Sequence, residues 1–401
     1  MNGPALPGAA AATTPRAGRG APTGGDVVRE AQVRGGRLDS LDALRFAAAF
    51  SVLLYHFVSS YAPKLNAPSS EVVSMLSAVT RYGYLGVNLF FMISGFVILW
   101  SAAGHSAASF AIGRFSRLFP TFWVSLVATS LALLAWGSSP QKAVVTWRNL
   151  AANATMLPTF LGSPRIDDVY WTLELELQFY FLVFVILFCR QLPKLETWIT
   201  LWLLLMAAQA VAGGGRIIAL IALAPFGPYF AAGCLFYLVY SNGPTLRRTV
   251  TLAVAAVLCV HQAYTGRQSF ITPDVLSGFV VPVAIVAFFF VFWLAVSQAA
   301  RRRSVSSRFA GLGAITYPLY LTHATAGALL LPSFPDGVSV EARLLATTAA
   351  ALAVATIISS AVDKPAPAFV ARHLKAVAAR LGLLGTDISA ASGRGRVVGR
   401  L

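Results

Sequence analysis

Arg45 and His56 stand eleven residues apart in an apolar run that begins at Leu41. At about 100° per residue, eleven steps of an α-helix return almost to the starting angle and climb roughly 16 Å. Both side chains therefore project from one stripe of one helix, about half a bilayer apart in depth. Ionisable groups inside a membrane segment are costly, and the default reading is a functional site facing the interior of a bundle. A cation near one surface and an imidazole deeper in point to an anion held at Arg45 and proton chemistry near His56.

Three further segments carry groups of this kind. Arg114 and Arg117, in Arg114-Phe-Ser-Arg117-Leu-Phe-Pro120, are i, i+3 neighbours on one helical face. Two guanidinium forks clamp phosphate oxygens well; the competing account is that basic residues flank membrane spans anyway. Glu176 sits about a turn inside the apolar run that opens with Tyr170 and Trp171. A carboxylate there needs a partner, and His56 at similar depth is expected to be it, giving an oriented imidazole of the general-base kind. Glu174 points to another face, where a salt bridge to Arg81 or Arg165 would explain it. Tyr170 and Trp171 read as interfacial belt residues.

His323, closing the segment Thr316-Tyr-Pro-Leu-Tyr-Leu-Thr-His323, places a second imidazole in a later span. A lone histidine in an apolar helix is often just hydrogen-bonded in the core, but two imidazoles and a carboxylate at matching depth favour a site. These three could also hold a metal, yet none has the local spacing of a zinc motif, and no metal is expected. His105, His261 and His373 receive no role. Cys189, Cys234 and Cys259 fall in or beside apolar segments at unrelated spacings and read as small buried hydrophobes.

Positioning such groups requires a membrane bundle. The 401 residues are 57% hydrophobic and 11% charged, with mean hydropathy +0.70, far from soluble averages. A formal charge of +16 would suit a nucleic-acid binder, but the basic residues collect in short loops between apolar stretches. The expected partner is a lipid bilayer, not nucleic acid. Residues 1–36, rich in Gly, Ala, Pro and Thr, read as a disordered tail. No cleavable signal peptide precedes the first apolar run, so that run is expected to remain as a span.

The fold class this predicts is an all-α polytopic membrane protein of about ten transmembrane helices. Their approximate limits are 41–60, 83–101, 118–137, 171–190, 196–212, 216–240, 249–264, 276–297, 310–331 and 342–362. Pro225 and Pro228 are expected to kink or break the sixth. Most of the 31 Lys and Arg residues then fall on one side, which places both termini in the cytoplasm. The long outer segment 138–170 is placed to cap an outward-facing cavity. Residues 364–401 form a basic tail, with an amphipathic helix expected around Phe369–Leu384.

Taken together the motifs resemble those of the membrane-bound acyltransferase 3 family, bacterial O-acyltransferases of surface glycans and some small molecules. The resemblance rests on Leu38 to His56 with its arginine, ten residues and histidine; on Gly86-Val-Asn-Leu-Phe-Phe-Met-Ile-Ser-Gly95-Phe96; on Arg114 to Pro120; on Trp171 to Tyr180; and on Tyr317 to His323. It spans roughly residues 37–363 and is similar to the stand-alone form of the family, in the inner (cytoplasmic) membrane. One departure is that the family often has two adjacent acids before Gln-Phe-Tyr, whereas Leu177 follows Glu176 here.

The resemblance implies acyl-CoA, most often acetyl-CoA, as co-substrate, its phosphates held by Arg45, Arg114 and Arg117. It implies a hydroxyl of a carbohydrate or glycolipid acceptor, deprotonated by His56 with Glu176 orienting it and His323 as a further catalytic residue. No permanently bound cofactor is implied. A proton-coupled transporter would also carry intramembrane His, Glu and Arg, but no inverted repeat of broken helices is visible. A non-catalytic scaffold leaves the shared depth of the ionisable groups unexplained.

Overall fold

The computed structural model describes residues 39–65, 70–300 and 310–382. The expected N-terminal tail lies outside these, as do residues 383–401 of the expected C-terminal tail, Arg301 to Arg303 and Arg308. All regular structure among the described residues is helical. The long helices are α1 (Asp39–Leu54), α2 (Glu71–Thr80), α3 (Gly86–Ala102), α4 (Ala107–Trp136), α5 (Trp171–Phe188) and α6 (Leu195–Ala212). They continue as α7 (Gly227–Asn242), α8 (Leu246–Gly266), α9 (Val275–Ala300), α10 (Ala310–Leu330), α11 (Val340–Ile358) and α12 (Ala366–Arg380). Two of them run on into π-helical turns, Tyr55–Tyr61 after α1 and Ser359–Asp363 after α11.

Eight helical stretches among the described residues are long and apolar enough to cross a bilayer, against the ten expected. The two that differ have physical reasons. The expected span 216–240 is broken as Pro225 and Pro228 foretell: a short helix Arg216–Ile221 turns into α7, whose 16 residues rise only about 24 Å. Helix α10 is long enough, but Thr316, Tyr317, Tyr320, Thr322, His323 and Thr325 make it too polar. Both are core helices whose polar side chains face other helices. Helix α12 lies where an amphipathic segment was expected.

Which surfaces meet lipid follows from exposure. Val127, Leu131 and Leu134 on α4 and Val283, Val286 and Phe290 on α9 point outward at helical spacing. Such stripes would be aggregation sites in water and suit hydrocarbon. Inside, close helix approach depends on small residues. A Cβ added to Gly95 of α3 would meet the Phe230 carbonyl oxygen at 2.2 Å, and one on Gly233 of α7 would meet that of Met92 at 2.0 Å. Without a hydrophobic drive between helices in lipid, this backbone contact supplies packing. A buried polar stitch completes it: Asn88 donates to the Tyr229 hydroxyl at 2.9 Å, which donates to the Cys259 carbonyl at 2.8 Å. Cys234 and Cys259 are buried as expected; Cys189 is exposed.

Candidate active site

One functional cluster surrounds a cavity of about 160 Å³ between α1, α3, α4, α5 and α10. Arg45 reaches it from α1, Arg114 and Arg117 from one face of α4, and Glu176 and Tyr180 from α5. Thr172, Glu176 and Tyr180 follow one another at i, i+4 and i+8, so a single stripe of α5 lines the wall. The Glu176 Oε1 atom accepts from the Ser94 hydroxyl at 3.0 Å and from the Tyr180 hydroxyl at 2.6 Å. Arg45 holds Asp42 one turn back at 3.3 Å. Arg117 donates to Asp363 Oδ1 at 2.5 Å, and Thr121 donates to the same oxygen at 2.8 Å. Arg114 lines the cavity and enters no ion pair among the described residues. Three guanidiniums and the Glu176 carboxylate thus line one cavity, with Asp42 and Asp363 paired to two of the arginines.

The second cluster is a histidine pair. His323 of α10 is fully buried, and its Nε2 lies 3.2 Å from His56 Nδ1. His56 Nδ1 also faces the Val52 carbonyl at 2.9 Å, and His323 Nδ1 faces the carbonyls of Leu319 and Tyr320 at 3.1 and 2.9 Å. The imidazole centroids are 5.0 Å apart, with the Tyr55 and Tyr61 rings 5.1 and 5.9 Å from His56. His56 belongs to the π-helical turn after α1, and π turns recur at functional sites.

The expected Glu176–His56 pair is thus replaced by a His323–His56 pair. Thr172 is level with Tyr320, the two hydroxyls sharing a hydrogen bond of 2.9 Å. Glu176 lies one turn further along α5, about 6 Å, on the arginine side of that bond. Tyr320 lines the cavity, and its ring centroid is 5.6 Å from that of His323. Phe90 packs edge-on against Tyr320 at 5.5 Å. The two clusters therefore adjoin across one aromatic ring.

The outer residues resolve as well. Glu174 pairs with Arg165 at 3.0 Å, while Arg81 pairs with Asp274 at 3.0 Å. Tyr170 is buried, its hydroxyl 3.5 Å from Thr129, and Trp171 packs on Phe91 and Phe226. Tyr170 is thus a core residue rather than an exposed belt residue, and Trp171 is half-buried. Asp167 in that segment is buried, takes the amide and hydroxyl of Thr325, and pins the outer segment two residues beyond His323. Sequence reasoning missed Ser94, Thr172, Tyr320 and Asp363. Tyr320 could have been found, since it precedes His323 by one helical turn. Asp363 lay one residue past the last expected span.

The acyltransferase domain of the acyltransferase 3 family matches residues 38–362. Among characterised proteins, the chain is 28% identical over 169 residues to Acyltransferase MdmB of Streptomyces mycarofaciens, covering 40% of this chain and 42% of that one. It is 30% identical over 164 residues to Nodulation protein 10 of Rhizobium leguminosarum bv. viciae, covering 36% and 43%. It is 26% identical over 291 residues to the Exopolysaccharide production protein ExoZ of Rhizobium meliloti, covering 70% and 86%. The first two matches thus span under half the length of those relatives. No solved structure matches. With its matched region taking in both clusters, the chain belongs to the acyltransferase 3 family and is an acyltransferase with the helices of a multi-pass membrane protein.

Proposed function

We propose that the protein is an O-acyltransferase of the inner membrane, moving an acyl group, acetyl in the first instance, from cytoplasmic acyl-CoA to a hydroxyl of a surface or lipid-linked carbohydrate. The single observation that carries this reading is an arginine cavity adjoining a histidine pair across the Tyr320 ring. The anionic phosphates of acyl-CoA suit Arg45, Arg114 and Arg117. The pantetheine arm then runs towards Tyr320 and carries the thioester to the histidines. His56 takes the acceptor's hydroxyl proton, the oxygen attacks the thioester carbonyl, and the carbon–sulfur bond breaks. The departing thiolate recovers that proton from His56 and leaves as CoA thiol.

Glu176 belongs to the donor side in this scheme, holding Tyr180 and Ser94 and offsetting part of the arginine charge. The frame is a bundle of ten spans, including the short α7 and the polar α10, with both termini cytoplasmic. The name of ExoZ concerns exopolysaccharide production, which favours a carbohydrate acceptor.

The test is transfer from radiolabelled acetyl-CoA by purified protein in lipid nanodiscs supplied with glycan or glycolipid fractions. Label on an acceptor hydroxyl with the wild type, and none with His56→Ala, is the expected result. Equal labelling by both would sink the reading.

A further inference from the structure

The hydrogen bonds around the two imidazoles leave one consistent arrangement of protons. His323 Nδ1 faces two carbonyl oxygens, at 3.1 and 2.9 Å, and carbonyls only accept. That nitrogen carries hydrogen, so the Nε2 of a neutral His323 presents a lone pair. His56 Nδ1 faces this lone pair at 3.2 Å and the Val52 carbonyl at 2.9 Å. Both neighbours are acceptors, so His56 Nδ1 is the donor, and its own Nε2 carries no hydrogen. The second nitrogen is thereby left as a free base.

We propose that His323 is the positioning residue of the reaction. As a second hydrogen-bond acceptor beside the Val52 carbonyl, it holds His56 in the Nδ1–H tautomer and shares the positive charge when Nε2 takes up the acceptor's proton. A buried carboxylate does this in Ser–His–Asp sites; here a neutral imidazole takes its place. The substitution has a physical reason. An ionised carboxylate at this depth would carry a desolvation penalty of several kcal/mol, whereas a neutral imidazole accepts without it. Among the described residues no carboxylate is hydrogen-bonded to either ring: the Asp168 charge reaches His56 only through space, and Asp167 is occupied by Thr325 and the Val169 amide. Two carbonyls on Nδ1 also fix the His323 ring and stabilise positive charge shared onto it.

This inference rests on His56 being the base, so its test reads protonation and rate separately. Protein with ¹³C,¹⁵N-labelled histidine in lipid bilayers is studied by solid-state NMR, the His56 signals being identified by their loss in His56→Gln. Wild-type His56 is expected to show a protonated Nδ1 and a bare Nε2; the opposite tautomer would overturn the proposal. In kinetics, His323→Leu should lower kcat at least tenfold with the KM for acyl-CoA unchanged. His323→Gln, whose amide oxygen restores an acceptor, should recover most of that loss. Equal loss in the two variants would show that His323 serves packing alone and would overturn the proposal. Retained turnover in His56→Gln would overturn the base assignment, and the role of His323 in the reaction with it, while the spectrum still decides the hydrogen bonds.

Discussion

The hydroxyls of Thr172 and Tyr320 share a hydrogen bond of 2.9 Å that stands between the arginine cavity and the buried His323. Helix α5 and helix α10 meet there, each continuing to one cluster: α5 down to Glu176 and α10 on to His323. A donor arm that runs from the arginines to His56 must pass this ring. On the proposed donor route, Tyr320 would control when the thioester meets the base, and with it whether water meets the thioester first.

Replacing Tyr320 by Phe keeps the ring and deletes the hydroxyl. Thr172 retains the Val169 carbonyl at 3.0 Å, so the stability loss should stay near 1 kcal/mol. The freed ring should open the partition and raise acyl-CoA hydrolysis in the absence of acceptor by several-fold. Thiol release followed colorimetrically measures it, and a rate equal to wild type would remove Tyr320 from this role.

Arg114 and Arg117 should not be equivalent, although the sequence presents them as a matched pair. Arg117 already faces Asp363, whereas Arg114 enters no ion pair among the described residues. A charge-assisted hydrogen bond contributes about 1.5–3 kcal/mol, or roughly ten- to a hundredfold in affinity. Arg114→Ala should raise the KM for acyl-CoA by about that factor, and Arg117→Ala by less. Equal effects in a titration of acyl-CoA against initial rate would contradict the assignment of Arg114 as the primary phosphate contact.

Glu176 offers the sharpest separation of the two clusters. In Glu176→Gln the remaining carbonyl oxygen still accepts from Ser94 and Tyr180, while one negative charge leaves the cavity. The histidine pair is untouched. The KM for acyl-CoA should fall or hold, and kcat should stay within a few-fold. A kcat loss of 10²–10⁴, the range of a general base, would return Glu176 to the proton-transfer step.

The sequence reveals this site unevenly, for physical reasons. Helical periodicity is regular, so the Arg45 and Arg114–Arg117 positions and the Glu174–Arg165 bridge could be anticipated. Pairing across helices is another matter. Hydropathy sets depth only to about one turn, or 5.4 Å, and about one turn of α5 separates Glu176 from Thr172, the partner of Tyr320. Glu176 and His56 thus read as level when a tyrosine separates their clusters. The two π turns also escape periodic reading: one carries His56, and the other delivers Asp363 to Arg117. Helix α10, by contrast, is legible in the sequence as the 310–331 run, although its threonines and tyrosines serve the core.

The α3–α7 crossing sets a packing test away from the chemistry. Gly95→Ala places a Cβ 2.2 Å from the Phe230 carbonyl oxygen, backbone that cannot swing aside. Overpacking of this kind costs about 1–3 kcal/mol. The thermal unfolding midpoint in detergent should drop, and Gly113→Ala, where nothing lies within 4 Å, should leave it unchanged. Equal midpoints for the two variants would show that the helices separate to make room.

One end of the bundle carries a pH-sensitive tie. Asp274 lies in the segment before α9 and accepts from the Ser277 amide at 2.7 Å and from Arg81 at 3.0 Å. The Ser277 amide first, and Arg81 after it, holds this carboxyl below the ordinary range. A folded-state value below the unfolded one, near 3.9, means the tie is fully present above that pH. It is lost as pH falls through the depressed folded value. The carboxylate is exposed, so the effect is small and weakened by salt. Comparing thermal midpoints of wild type and Asp274→Asn across pH isolates it from every other carboxylate. The wild-type advantage should be flat from pH 7 to about 5 and should vanish under stronger acid; an advantage that grows as pH falls would reverse the assigned sign.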